Sequence, residues 1–168
     1  MSETVSRSTD PTDFTATELG AWRGMLRVHA CLVRALDAQL DAAHGLPITS
    51  YEVLIHLGDA PNGQMRMRDL ADAALLSRSG LTRLVDRLER DGLIERASCP
   101  SDARGAFAVI TEAGRELLDR ARPAHRAEVR RQFLDHFDED ELEQLAGYWE
   151  RVLPGSVTDG PGPSATSC

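Results

Sequence analysis

The segment Ser77–Arg83, which reads SRSGLTR, places arginines and small hydroxyl side chains together at the start of a predicted helix. Ser77 is a residue type that caps helices. Leucine and valine then recur at helical spacing, at Leu81, Leu84, Val85 and Leu88, which predicts a buried face. The opposite side carries Ser79, Thr82 and Arg83 and, one turn on, Asp86 and Arg87, while Arg78 lies at the helix start. Arginine can bond both acceptors of guanine in the major groove, and serine and threonine reach bases or phosphates. The segment is therefore predicted to contact DNA, together with Ser77 at its start.

An alternative interpretation is a solvated helix face on which Asp86, Glu89 and Arg90 form ordinary charge pairs at helical spacing. The preceding helix favours DNA binding over that alternative. Arg66 and Arg68 lie at its start, where contacts with the DNA backbone are expected.

A β-hairpin is predicted to follow the helix that begins after Ser77. Two runs typical of strands, LIERA and AFAVIT, flank the polar segment 98–105, SCPSDARG, which we expect to form a free hairpin tip. Arg104 at this tip is suited to a narrow minor groove, with Asp102 two residues before it. The alternative is a turn aspartate beside an ordinary surface arginine.

Helices are predicted on both sides of this region. Thr15 and Glu18 form the signature of a capping box at the start of a long helix that ends at Gly45. Thr49 is predicted to cap a second helix. The third helix is expected to bury one face, made of Leu70, Ala71, Ala74 and Leu75.

Two further helices are predicted after the hairpin. Thr111 begins a long one that runs to Phe137 and is kinked at Pro123, and Asp138 with Glu141 forms a capping box for the last. The order predicts a mainly α fold with a small β-hairpin wing. It comprises a winged helix-turn-helix lobe and long terminal helices that form a dimerisation region.

Charge is distributed unevenly along the 168 residues, whose net charge is -8. All 19 basic residues are arginine, and from Asn62 to Ile110 the eight arginines against seven acidic residues give +1, which leaves -9 for the rest. Acidic residues therefore concentrate outside the proposed DNA-binding lobe. A nearly neutral lobe permits DNA binding through close, salt-sensitive contacts.

Other features narrow the class of protein. The three cysteines have no spacing typical of a metal site or a disulfide framework. No apolar run reaches the roughly 18 residues of a membrane span, and the polar N-terminus lacks a signal peptide, so a cytoplasmic location is expected. Residues 1–14 and 154–168 are rich in Ser, Thr, Pro and Gly and are predicted to be disordered tails.

The segment MRMRDLADAALLSRSGLTRLVDRLERDGLIERASCPSDARGAFAVITEAGRELL resembles the MarR family of bacterial transcription regulators. The resemblance covers residues 15–153. It implies dimerisation helices at 15–45 and 111–153, a DNA-binding lobe at 49–110, and a homodimer on double-stranded DNA with a pseudo-palindromic sequence. It also implies a repressor relieved by a small phenolic or anionic ligand. Many relatives carry a basic residue where this chain has Ala106, so wing affinity is expected to be lower.

Candidate effector and redox residues follow from the same resemblance. Trp22, His29 and Tyr51 could line a ligand pocket, although ordinary packing is the alternative for each. Cys31 shares a helix face with Arg27 and Arg34, and nearby cations favour a reactive thiolate. Redox sensing through Cys31 is therefore a second hypothesis, beside an inert cysteine.

Functions of other classes have less support in the sequence. It contains no phosphate-binding loop, metal-ligand cluster or nucleophile triad on plausible loops, so neither catalytic residues nor a cofactor are predicted. The remaining alternative is a winged-helix protein-interaction module that does not bind DNA.

Overall fold

The computed structural model describes residues 13–99 and 102–157, except for the side chains of residues 98, 99 and 102–105. Residues 1–12 and 158–168, most of the two predicted tails, lie outside the described residues. The chain divides into two compact units with a boundary between Ala35 and Leu36. The helices and strands are α1 (Ala16–His44), α2 (Ile48–Asp59), β1 (Gln64–Arg66), α3 (Met67–Ala73), α4 (Arg78–Arg90), β2 (Ile94–Cys99), β3 (Asp102–Ile110), α5 (Glu112–Gln132) and α6 (Glu139–Val152). The predicted class, mainly helical with a small antiparallel sheet, is confirmed.

The first unit contains the N-terminal part of α1. The predicted capping box is present: the Thr15 amide donates to the Glu18 carboxylate at 2.7 Å, and the Glu18 amide donates to Thr15 Oγ1 at 3.2 Å. Between residues 13 and 35 no side chain is fully buried. Several large apolar side chains there remain exposed, namely Phe14, Trp22, Leu26, Val28 and Val33.

The second unit has an apolar core formed by α2, α3, α4, the sheet and part of α5. Full burial of one leucine or valine side chain stabilises a fold by roughly 1.5–3 kcal/mol. The predicted inward face of α4 is confirmed, since Leu81, Leu84, Val85 and Leu88 are all buried. On α5, Leu118 and Ala121 close the core.

Helix α2 begins at Ile48, two residues before the start that a cap at Thr49 would give. Pro47 occupies the N-cap position with φ -58° and ψ 145°, and no side chain caps the helix. Instead, Asp37 Oδ1 accepts from the Ile48 amide at 2.8 Å. The prediction that Thr49 caps this helix was therefore wrong, because a carboxylate eleven residues earlier satisfies the first free amide.

The sheet has a third strand that the sequence analysis missed. Its order is β1-β3-β2, and Gln64 pairs with Val109 while Arg66 pairs with Phe107. A strand of three residues is too short to show an alternating pattern. The hairpin strands also extend further than predicted, to the pair Cys99 and Asp102, so residues 98–105 are mostly strand rather than free loop.

Helix α3 ends in a Schellman motif centred on Leu75. The Leu76 amide donates to the Ala71 carbonyl at 2.9 Å and the Leu75 amide to the Asp72 carbonyl at 3.3 Å. Leu75 has φ 52° and an 88% exposed side chain. The prediction that Leu75 lies on the buried face of α3 was therefore wrong, because the helix ends before it.

Replacing Leu75 with glycine is expected to stabilise the protein by about 1 kcal/mol, because glycine has no Cβ penalty in the left-handed region. The gain corresponds to a rise of roughly 2–4 °C in the midpoint of thermal unfolding. Gly92, with φ 73°, occupies the equivalent position after α4, so Gly92→Ala should lower the midpoint. A Leu75→Gly protein that melts below the wild type would show that the leucine stabilises the turn.

The last two helices follow the predicted order with one difference. Helix α5 ends at Gln132, five residues before the predicted end at Phe137, and a short 3-10 turn follows at Leu134–His136. Pro123 lies inside the helix, and the kink expected there stays a prediction. The capping box of α6 is confirmed, since the Glu141 amide donates to Asp138 Oδ1 at 2.9 Å and the Asp138 amide donates to the Glu141 carboxylate at 3.0 Å.

Candidate nucleic-acid interface

The start of α4 is built by Ser77. Its Oγ accepts from the Gly80 amide at 3.1 Å and lies 3.4 Å from Ser79 Oγ. The predicted cap is confirmed. This hydrogen bond fixes the orientation of the first turn of α4 relative to the loop between α3 and α4. The remaining amides of that turn have no partner within the helix, which makes this end suited to a phosphate.

The exposed face of α4 carries the predicted contact residues. The side chains of Arg78, Ser79, Thr82 and Arg83 are all exposed; Arg78 lies at the helix start, and Ser79, Thr82 and Arg83 face away from the four buried residues. Thr82 Oγ1 donates to the Arg78 carbonyl at 2.9 Å, which leaves the oxygen able to accept. Within the described part of the chain, neither Arg78 nor Arg83 forms a salt bridge. Their guanidinium groups therefore remain available to an external anion or base edge.

Arg87, which is predicted to contact DNA, also forms a hydrogen bond within the protein. Its Nη2 donates to Ser50 Oγ at 2.8 Å, and Ser50 is buried in α2. Arg87 thus links the recognition helix to α2 and satisfies a buried hydroxyl. Its contact with DNA stays a prediction.

Arg96 of β2 was missed by the sequence analysis. Its Nη1 donates to Glu89 Oε2 at 2.6 Å and its Nη2 donates to Asp86 Oδ1. The charge pairs of the alternative interpretation are absent from the described part of α4, since Arg90 donates to the Asp86 backbone carbonyl at 3.2 Å and the two carboxylates pair with Arg96. No local pattern could have shown this contact, because it spans seven and ten residues of sequence.

Two further predicted residues lie at the start of α3. Arg66 is its N-cap residue, and its guanidinium lies 5.3 Å from the centroid of the Phe107 ring. Arg68 donates from Nε to Asp69 Oδ1 at 3.3 Å, with its side chain 69% exposed. Such an exposed pair contributes little to stability, so Arg68 can exchange Asp69 for phosphate.

The wing tip is only partly described. Asp102 begins β3 and Arg104 lies within it, but the side chains of both residues lie outside the described part of the structure. Their contacts with DNA stay predictions.

The candidate effector and redox residues lie in different surroundings. In the first unit, Trp22, His29 and Cys31 are exposed, and Cys31 is a free thiol. In the second unit, Tyr51 is buried, with its ring 4.5 Å from that of His125 at an angle of 55°. Burial raises the pKa of Tyr51, although Arg122 and Arg126 act in the opposite direction. Tyr51 is thus a packed core residue, and its ligand role stays a prediction, as do the roles of the other three.

Two searches of the described residues bear on other classes of function. No group of three or more His, Cys, Asp or Glu side chains there is arranged to hold a metal ion. None of the described helices combines the length and apolar character required to span a membrane.

Comparison with known proteins decides the family. A sequence profile of the MarR family matches residues 44–105. The chain is 36% identical over 112 residues to the HTH-type transcriptional regulator MhqR of Bacillus subtilis (strain 168), which covers 65% of this chain and 73% of that protein. The crystal structure of Sco3205, a MarR family transcriptional regulator from Streptomyces coelicolor in complex with DNA, aligns with a TM-score of 0.81. That alignment has 36% identity and covers 83% of this chain and 91% of Sco3205. The chain belongs to the MarR family.

This MarR protein is therefore a DNA-binding transcriptional regulator and not an enzyme. The profile match spans α2 to the wing and includes the exposed face of α4. A second similar structure is CouR from Rhodococcus jostii RHA1, bound to p-coumaroyl-CoA. It aligns with a TM-score of 0.72 and 27% identity, over 83% of this MarR protein and 95% of CouR.

Proposed function

We propose that this regulator represses transcription as a homodimer that inserts the first two turns of α4 into the major groove of a pseudo-palindromic operator. The observation that carries the proposal is the exposed polar face of α4, on which Arg78 and Arg83 have no salt bridge within the described residues. Exposed, unpaired arginines at the N-terminus of a recognition helix are placed to reach guanine edges or phosphates.

The surrounding residues are assigned supporting roles in the same proposal. Arg66 and Arg68 contact the DNA backbone from the start of α3, where phosphate contacts fix the register of the protein on the duplex. Arg104 enters the minor groove beside the operator half-site, with Asp102 near it. Exposure of Arg66 and Arg68 supports the first assignment. The position of Arg104 near the tip of the β2–β3 hairpin supports the second.

Dimerisation is proposed to cover the exposed apolar side chains of the terminal helices. In the first unit, Trp22 is 52% exposed and Leu26 is 46% exposed. In α6, Val152 is 77% exposed, near Tyr148, Trp149 and Leu153, which are also exposed. Such concentrations of apolar surface are uncommon on monomers and typical of interfaces. Two-fold symmetry would then place two copies of α4 about one helical turn of DNA apart.

Replacing Val152 with glutamate is expected to shift the protein from dimer to monomer in sedimentation velocity, because burying an unpaired carboxylate at the interface is unfavourable. Operator binding should weaken with it, since one lobe alone makes half of the contacts. Gly147 is exposed on the opposite side of the same helix, with open space around it, so Gly147→Glu adds the same charge and should leave the dimer intact. A Val152→Glu protein that stays dimeric would exclude α6 from the interface.

Release from the operator is proposed to follow binding of a small anionic or aromatic compound. The support is the structural similarity to CouR, a regulator crystallised with p-coumaroyl-CoA. Phenolic acids and their coenzyme A thioesters are the first compounds to test. A compound that binds this protein, as shown by calorimetry, and lowers its operator affinity would support the proposal, and one that binds without that effect would contradict it for that compound.

A footprint on the DNA upstream of the regulator's own gene tests the proposed function, at two salt concentrations. We expect a protected pseudo-palindrome whose half-site centres lie about 10 base pairs apart, with protection that decreases at the higher salt. If this region is unprotected at low salt, binding sites are selected instead from a library of genomic DNA fragments. Failure to select any sequence would overturn the proposed operator binding.

A further inference from the structure

Two carboxylates lie close to the proposed DNA-facing surface of α4. Asp86 follows Arg83 by three residues and Thr82 by four, so the three side chains share one side of the helix. Glu89 lies one turn beyond Asp86. Asp86 and Glu89 are 50% and 40% exposed, respectively. Uncompensated negative charges at this position would repel the phosphates that Arg78 and Arg83 are proposed to approach.

Arg96 holds both carboxylates with one guanidinium group. Its two terminal nitrogens point to different partners, Nη1 to Glu89 at 2.6 Å and Nη2 to Asp86. The planar, permanently charged guanidinium suits this double contact. Its side chain is 30% exposed, whereas that of Arg68 is 69% exposed. Arg96 is thus occupied by intramolecular partners and less accessible than an arginine proposed to bind phosphate.

We infer that Arg96 is a positioning residue for DNA binding, which offsets part of the negative charge of Asp86 and Glu89 and holds α4 to the wing strand β2 without contacting DNA itself. The inference rests on the proposed function, because it takes the exposed face of α4 as the DNA-binding surface. Asp86, Glu89 and Arg96 together carry a net charge of -1, whereas the two carboxylates without Arg96 would carry -2. The pairing also links the recognition helix to the strand that leads to the wing tip.

The test compares Arg96→Met, the double variant Asp86→Asn/Glu89→Gln and the triple variant that combines them. The probe is the duplex protected in the footprint, and the equilibrium affinity is measured at several salt concentrations. Arg96→Met is expected to bind about tenfold more weakly, as one uncompensated charge near several phosphates would produce. The double variant should bind at least as tightly as the wild type. The triple variant should return to within about threefold of the wild type, because no carboxylate remains to be neutralised.

The salt dependence separates this role from a direct phosphate contact. A direct contact would lower the slope of log K against log salt by about 0.9 in Arg96→Met, and the triple variant would keep that loss and the weak binding. This result, or wild-type affinity of Arg96→Met, would overturn the inference. If thermal unfolding shows that Arg96→Met does not fold, the double variant provides the test. Binding of the double variant clearly weaker than that of the wild type would mean that the carboxylates themselves support binding, which would overturn the inference. Failure of the wild type to bind any duplex would contradict the proposed function instead.

Discussion

Replacing Arg83 with alanine is expected to weaken operator binding by about 1–3 kcal/mol, or roughly 5- to 150-fold. Arg83 is exposed on the second turn of α4, between Leu81 and Leu84 of the buried face, and forms no salt bridge within the described residues. Its removal takes away a donor pair that can bind both acceptors of one guanine. It disturbs no core contact, so the midpoint of thermal unfolding should stay within about 2 °C of the wild type, since exposed substitutions rarely change stability by more than about 0.5 kcal/mol.

Arg120 provides a control with the same change in net charge. It lies on α5 with its side chain 62% exposed and forms only a 3.8 Å pair with Glu116. Arg120→Ala should therefore bind the operator within about twofold of the wild type. If Arg83→Ala and Arg120→Ala weaken binding equally, net charge explains the effect and Arg83 has no specific contact.

Base recognition and phosphate binding by Arg83 have different signatures. A guanine contact predicts that Arg83→Ala loses discrimination at one base pair of each half-site, while other positions keep theirs. A phosphate contact predicts a uniform loss on all sequences and a smaller salt slope. The same binding series, repeated on duplexes with single substitutions, distinguishes the two. Loss of neither affinity nor discrimination would place Arg83 outside the interface.

Local signals in the sequence were sufficient to predict most of the helices. The periodic apolar residues of α4 and the capping residues Thr15, Ser77 and Asp138 act within one or two turns, so their structural effect can be inferred from spacing alone. For that reason the exposed face of α4 was also predictable. The structure confirms these three caps, although not the cap predicted at Thr49, and the burial of Leu84 on the opposite face.

Features that depend on distant residues were not predictable. Asp37 caps α2 from eleven residues away, and Arg96 pairs with the carboxylates that the alternative interpretation had assigned to Arg90. Leu75 illustrates a different failure: its apolar side chain indicated burial, whereas the backbone turns there with φ 52°. Glycine at that position would have indicated the end of the helix. Backbone conformation and contacts between residues distant in sequence thus determined features that composition and periodicity could not predict.

Replacing Gly114 with alanine is expected to destabilise the protein by about 2–3 kcal/mol, as overpacking of a closely packed site does. Thr111 joins the start of α5 to the end of α4: its amide donates to the Leu93 carbonyl at 3.1 Å and its hydroxyl to the Gly92 carbonyl at 2.7 Å. The Gly114 amide in turn donates to Thr111 Oγ1 at 3.1 Å. These bonds bring α5 so close to Leu93 that a Cβ on Gly114 would overlap the Leu93 carbonyl oxygen and approach Ile110 Cγ1 to 2.8 Å.

The clash cannot be relieved by rotating a side chain, because the Leu93 oxygen is part of the backbone and already accepts from Thr111. We therefore expect the midpoint of thermal unfolding of Gly114→Ala to fall by roughly 4–12 °C. Ala113 is exposed on the same turn, so Ala113→Ser adds one atom without a clash and should stay within about 0.5 kcal/mol. An unchanged midpoint in Gly114→Ala would show that α5 can move away from the wing without cost. In that case the Thr111 hydrogen bonds, and not the small size of Gly114, would hold the two elements together.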